Sequence, residues 1–194
     1  MVTVFMWIIG FVVLASLVAN GAWTNLLMFI NVMLAMLLAA NYFEPLAAFF
    51  DKRWPTYTYL WDFIALWMIF ALAFMILRAA TDQLSKVRVR FRKPVEWTFG
   101  ILFALLIAFS MSSFTYFTFH TAPLARNFMW DSFQPDPRVA GPDVWTRAFY
   151  GITSAGSLSR WKPIVFDSDR QNPFLYRYGW RRAAFEKQLT VAKK

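Results

Sequence analysis

The chain contains no cysteine, one histidine and only seven glycines in 194 residues. Without cysteine there is no disulfide, no thiolate metal site and no cysteine nucleophile, and the redox compartment is left open. His120 alone falls short of the nitrogen and sulfur ligands that a zinc site draws on. Serine, histidine and aspartate do not meet in a G-x-S-x-G elbow, and the scattered glycines form no phosphate-binding loop. Charge is scarce as well: 16% of residues are Asp, Glu, Lys or Arg, where a soluble domain carries about a quarter. Catalysis, a bound metal and a cofactor are therefore not expected.

What fills the space is apolar: 59% of the chain is hydrophobic and 20% aromatic. The excess is concentrated in the first 120 residues. Crossing about 30 Å of hydrocarbon takes about 20 predominantly apolar residues in a helix, and four segments qualify, at about 2–19, 26–48, 60–80 and 96–119. The expected fold is an all-α membrane protein with four transmembrane helices in residues 1–120. Residues 121–194 then form a mostly irregular, partly helical extramembrane tail. The first segment has no cationic region before it and no convincing cleavage site, so it reads as a retained span rather than a signal peptide.

Punctuation sets the expected boundaries. Asn20-Gly21-Ala22-Trp23-Thr24-Asn25 reads as an uncharged polar turn, with Gly21 stopping the first helix in a left-handed conformation. Pro45 removes a backbone donor and is expected to bend or break the second helix, leaving 26–42 in the membrane and 44–50 near the interface. Asp51-Lys52-Arg53-Trp54-Pro55-Thr56 reads as a loop. The third span opens with Trp61 and Asp62, an aromatic anchor, and closes with Arg78, a snorkelling cation. Beyond Pro123 the prolines multiply. Short helices are expected at 143–152 and 179–191, with an irregular linker at 134–142. The many tail aromatics, Tyr178 among them, suggest that the tail folds onto the membrane surface or a partner.

The net charge is +9, and much of it stands in one run, Lys86-Val87-Arg88-Val89-Arg90-Phe91-Arg92-Lys93. Nucleic acid is not the expected partner, because no recognition module accompanies the run. Lys86, Arg88, Arg90, Arg92 and Lys93 lie between two apolar spans, where cations hold a loop on the cytoplasmic side and meet anionic lipid headgroups. With loop 78–96 cytoplasmic, four spans put both termini outside. The tail carries twelve Lys and Arg against six acids, but long segments count little in this rule.

The polar residues nearest membrane depth are Asn31, Asn41, Glu44 and Asp62. An ionisable group within a span marks an ion or proton path by default, so these four are candidates for a polar path; interhelical hydrogen bonding is the simpler role for the two asparagines. Ser110, Ser112 and Ser113 belong to a hydroxyl-rich half of the fourth span, where small residues let helices approach closely. Asp167 and Asp169 read as solvated loop acids rather than a cation site.

The order of features resembles a known family. A first span ends at Gly21. The second ends in Ala39-Ala40-Asn41-Tyr42-Phe43-Glu44-Pro45-Leu46-Ala47, and the third in Phe70-Ala71-Leu72-Ala73-Phe74-Met75-Ile76-Leu77-Arg78. A basic connection then leads to Gly100-Ile101-Leu102-Phe103-Ala104-Leu105-Leu106. Over about residues 1–120 this resembles the CvpA (colicin V production protein) family of bacterial inner-membrane proteins. The resemblance implies an association with colicin V production or toxin export and with envelope homeostasis, close helix packing at Gly21 and Gly100, and no catalytic residues. It leaves three roles open: a scaffold or transport-related component that associates with itself or with other membrane proteins, a small channel or transporter subunit, and an accessory subunit docking through its tail.

The basic run generates the first prediction. Each cation near an anionic leaflet contributes about 1 kcal/mol. Replacing Lys86, Arg88, Arg90, Arg92 and Lys93 with glutamine should therefore mix the orientations, read as split activity of cytoplasmic and periplasmic reporters fused after Lys194.

Overall fold

The computed structural model describes residues 2–85, 92–119, 121–122, 178, 184 and 187. Its elements are helix α1 (Val2–Leu17), helix α2 (Ala22–Arg53), a 3-10 turn (Pro55–Tyr57), helix α3 (Thr58–Leu84) and helix α4 (Lys93–Phe119). In hydrocarbon a backbone must satisfy its own polar groups, and a helix does so within one segment. The fold is all-helical, and α2, α3 and α4 are each long and apolar enough to cross a membrane. Helix α1 is shorter, at 16 residues, or about 24 Å of helical rise.

The helix ends correct three expectations. Pro45 does not break α2, which runs unbroken for 32 residues. Proline is tolerated in a membrane helix where side chains and neighbouring helices take over the freed backbone groups, and α2 is clasped on two sides by α3 and α4. The 51–56 loop shrinks accordingly. Helix α2 continues through Arg53 and stops at Trp54, whose φ of −137° and ψ of 73° are not helical, because the following Pro55 disfavours the helical conformation there.

Gly21 is the third correction. It is the N-cap of α2, with φ −72° and ψ 162°, an extended backbone open to any residue and not a left-handed helix stop. A β-carbon on Gly21 would meet only the carboxylate end of the flexible Glu96 side chain of α4, which can turn aside.

Chain direction alternates along the bundle. The end of α1, the start of α2, the end of α3 and the start of α4 meet at one face, here the basic end. The α2–α3 turn, the start of α1 and the end of α4 lie at the opposite end. Laterally the order is α3, α2, α4, α1: α2 packs on both α3 and α4, α1 packs on α4, and α3 barely meets α4. That last contact is aromatic. Phe70 and Phe114 have ring centroids 4.8 Å apart, and Trp67 Nε1 donates to Thr118 Oγ1 at 3.1 Å. The core joins Val32, Met36, Ala39, Phe43, Leu66, Ile107 and Phe117. The outer surface stays apolar, with Trp7, Phe11, Ile76, Trp97 and Phe109 exposed, as suits helices solvated by lipid chains.

Gly100 sets the spacing between α4 and the α1–α2 corner. A β-carbon there would lie 3.4 Å from the Asn20 carbonyl oxygen and 3.5 Å from the Ala22 nitrogen. Alanine just fits this gap and a larger side chain does not. Gly100→Ala should be nearly neutral, while Gly100→Leu should lower stability by about 1–3 kcal/mol through overpacking, read from thermal unfolding in detergent.

Candidate functional site

The described polar side chains collect at the two ends of the bundle, and the tightest group is at the basic end. Asn25 sits in the first turn of α2 and is fully buried. Its Nδ2 donates to the Leu17 carbonyl of α1 at 3.2 Å and to the Gly100 carbonyl of α4 at 2.9 Å. One amide thus joins three helices. Its Oδ1 is buried without a hydrogen-bond partner. Sequence reasoning placed Asn25 in a polar turn and did not single it out. The available signal was an uncharged amide four residues after Gly21, on the face that continues into the apolar stripe of α2.

Next to this corner Trp23 Nε1 donates to Ser85 Oγ at 2.8 Å, tying the start of α2 to the end of α3. Asn31 Nδ2 donates to Thr81 Oγ1 of α3 at 2.9 Å, and Thr81 donates to the Arg78 carbonyl at 3.0 Å. Arg78 pairs with Asp82 at 3.0 Å, so the third span closes with an ion pair and not a lone cation. Arg92 and Lys93 are exposed at the same end; Lys86, Arg88 and Arg90 lie outside the described residues.

The four polar-path candidates are spread along the α2–α3 hairpin. Asn31 lies toward the basic end. Asn41 is buried at mid-helix with its amide turned to its own backbone, and Glu44, one turn further, is half-buried. Asp62 stands at the opposite end, only 8% exposed. About 28 Å of helical rise separates the levels of Asn31 and Asp62. The structure does not gather them into one constellation.

At the far end Asp62 accepts a hydrogen bond from the Tyr178 hydroxyl at 3.1 Å. Tyr178 is itself buried and belongs to the main core cluster, so this aromatic of the tail faces inward. Beside it Phe50, Trp54 and Trp61 stack, with Phe50 and Trp61 centroids 5.1 Å apart, and Trp61 Nε1 donates to the Trp54 carbonyl at 2.8 Å. Thr58 Oγ1 donates to the Asp51 carboxylate at 2.5 Å. Ala184 and Lys187, within the 179–191 helix expected from the sequence, are helical. The 143–152 helix, the 134–142 linker, His120, Asp167 and Asp169 lie outside the described residues.

In α4, Ser110 and Ser113 are buried. Ser112 Oγ donates to the Met6 carbonyl of α1 at 3.2 Å, and Gly10 makes the room: a β-carbon there would stand 3.0 Å from Ser112 Oγ. Among the described residues, no group of three or more His, Cys, Asp or Glu is placed to hold a metal ion. The chemistry these nodes perform is hydrogen bonding between helices.

Asn25 gives the sharpest test of that role. Asn25→Leu removes both donors and should cost about 1–2 kcal/mol, the range for a hydrogen bond between membrane helices. Asn25→Asp keeps the shape, loses the donors and buries a charge against two carbonyls, which should cost about 3 kcal/mol or more. Chemical unfolding in mixed micelles should rank the native chain above Asn25→Leu and Asn25→Asp last.

Comparison with known proteins agrees with this architecture. No curated protein and no solved structure matches the sequence. The family described as colicin V production protein matches over residues 3–134, which takes in all four helices and the corner built on Gly21, Asn25 and Gly100. The chain is a multi-pass membrane protein and belongs to the colicin V production protein (CvpA) family.

Proposed function

We propose that the protein is a non-catalytic scaffold of the bacterial inner membrane that supports colicin V production or export and, more broadly, envelope homeostasis. The observation that carries this reading is the family match over the whole helical bundle. The geometry supports it through the use made of the buried amides. Asn25 and Asn31 direct their donors to neighbouring helices, and Asn41 directs its own to the α2 backbone, so these groups hold helices in place.

A conduit through Asn31, Asn41, Glu44 and Asp62 has less support, since the Asn31 and Asn41 amides already donate to protein partners. Docking of an accessory subunit through the tail has less support at Tyr178, which turns onto the bundle. In this reading the end carrying Arg78, Arg92 and Lys93 faces the cytoplasm and both termini face outward. The exposed apolar faces of α1 and α3 then meet lipid, a second copy or other membrane proteins.

The test is complementation. In a colicin V-producing strain lacking its own family member, expression of this chain should restore the killing zone on a sensitive lawn. A chain present in the membrane at normal level that restores nothing overturns the reading. Reconstituted vesicles should show no solute flux above empty controls; flux abolished by Asn31→Leu would favour the conduit instead.

A further inference from the structure

Helices α3 and α4 meet near the end that bears the α2–α3 turn and part toward the basic end. At the meeting point Trp67 and Phe70 pack on Phe114, and Trp67 Nε1 donates to Thr118. On α4 the stripe that carries Phe114 runs back through Ser110, Leu106 and Phe103 to Phe99, every third or fourth residue and so along one face. Phe114 and Ser110 are buried, Leu106 and Phe103 half-buried, and Phe99 is 45% exposed. The matching stripe of α3 opens in the same direction: Phe70 is buried, Phe74 and Leu77 are half-buried, and the Arg78 side chain is 33% exposed. Phe74 stacks back on Phe70, while Phe103 meets Phe99 and Phe29 of α2. Among the described residues no ring contact joins Phe74 to that group. Met28, half-buried, stands on α2 midway between Asn31, which turns to α3, and Asn25, which turns to α4. It floors the cleft between the two walls.

Cations stand at the open end of this cleft. Arg78 closes the α3 wall, and Arg92 and Lys93, both exposed, begin α4. The partner of Arg78, Asp82, is itself 59% exposed, and so open a pair is weak enough to exchange for another anion. From Phe70 to Arg78 the helix rises about 12 Å, close to the half-thickness of a hydrocarbon core about 30 Å across. We propose that the cleft between α3 and α4 is a binding site for one anionic phospholipid. Arg78, Arg92 and Lys93 take the phosphate, and an acyl chain lies along Phe74, Leu77, Phe99 and Phe103 over Met28. The two halves together select this occupant: an apolar partner helix has no use for the cations, and a soluble anion has none for the aromatic walls. Basic pockets between membrane helices hold anionic headgroups by this chemistry, and arginine adds forked donors that match a phosphate. A held lipid differs from the general attraction of a basic loop for an anionic leaflet, because its chain enters the bundle. The proposal goes beyond the scaffold reading and needs only that the chain spans a membrane.

The absence of cysteine gives the test a unique reporter thiol. Phe103→Cys and Leu105→Cys, each labelled with bimane, lie at nearly one depth on α4. The first is in the cleft, and the second is on the outer face, where Leu105 is 48% exposed. The full chain is placed in phosphatidylcholine nanodiscs with a rising fraction of phosphatidylglycerol brominated on its acyl chains. A cation beside an anionic headgroup is worth about fivefold in affinity, so the label at 103 should be quenched at a fraction about tenfold lower than the label at 105. Equal quenching reports bulk lipid alone and overturns the site. With brominated phosphatidylcholine the difference should vanish; a difference that persists overturns the anionic headgroup. Arg92→Gln should shift the curve at 103 about fivefold to higher lipid and leave the curve at 105 in place, and an unmoved curve at 103 overturns the role of Arg92. Because the label itself stands in the cleft, native mass spectrometry of the unlabelled chain supplies a second reading. The chain should retain one phosphatidylglycerol in preference to phosphatidylcholine, and Arg92→Gln should retain several-fold less. Retention of neither lipid, or of both alike, overturns the site. Neither readout involves toxin production, so failure of the lipid site and failure of the scaffold reading are separately visible.

Discussion

The arrangement of the bundle depends on one buried amide at the corner where three helices meet. Asn25 reaches the last turn of α1 and the first turns of α4 at once, which fixes how far each can slide past α2. Hydrophobicity cannot do this between membrane helices, because lipid chains are as apolar as the side chains they would replace. Close packing and hydrogen bonds must supply the register. Gly100 allows the approach by admitting the α1–α2 backbone.

From that corner the rest follows as a row of contacts. Helix α2 takes the central place and buries Val32, Ala35, Met36, Ala39 and Phe43 between its neighbours. Helix α1, too short to span comfortably, is held on α4 by Ser112 against Met6 and Gly10 and by stacking of Phe5 on Phe119. Polar groups gather at the two ends, where water and headgroups are near, and the middle relies on apolar packing with the Asn41 amide folded back onto its helix.

Much of this was legible in the sequence, for physical reasons that can be named residue by residue. Long apolar runs dictate helices in a bilayer, and the order of Gly21, the Asn41–Pro45 segment and Gly100 carries the family resemblance. The errors share a cause. Backbone preference alone misplaces Pro45 and Gly21, whereas α2 runs on through the proline between its two packed neighbours and Gly21 caps α2 in an extended conformation. Asn25 does not stand out in the sequence because the two partners of its amide, Leu17 and Gly100, lie on other helices. Nothing next to Gly10 in the sequence marks it, because the Ser112 hydroxyl it accommodates comes from the far end of the bundle sequence, on α4.

Composition and pattern by themselves determined that the first 120 residues are helical and cross a membrane more than once, and that the chain lacks the residues for a thiolate site. They also determined where its positive charge is concentrated. These properties depend on transfer of side chains from water and on local backbone rules, which act within a single segment. Only the tertiary structure decided that Asn25 ties three helices, that Asn31 and Asp62 stand at opposite ends of one hairpin, and that Tyr178 donates to Asp62. Each of those is a contact between residues distant along the chain, and distance along the chain says nothing about which hydrogen-bond partners folding brings within reach.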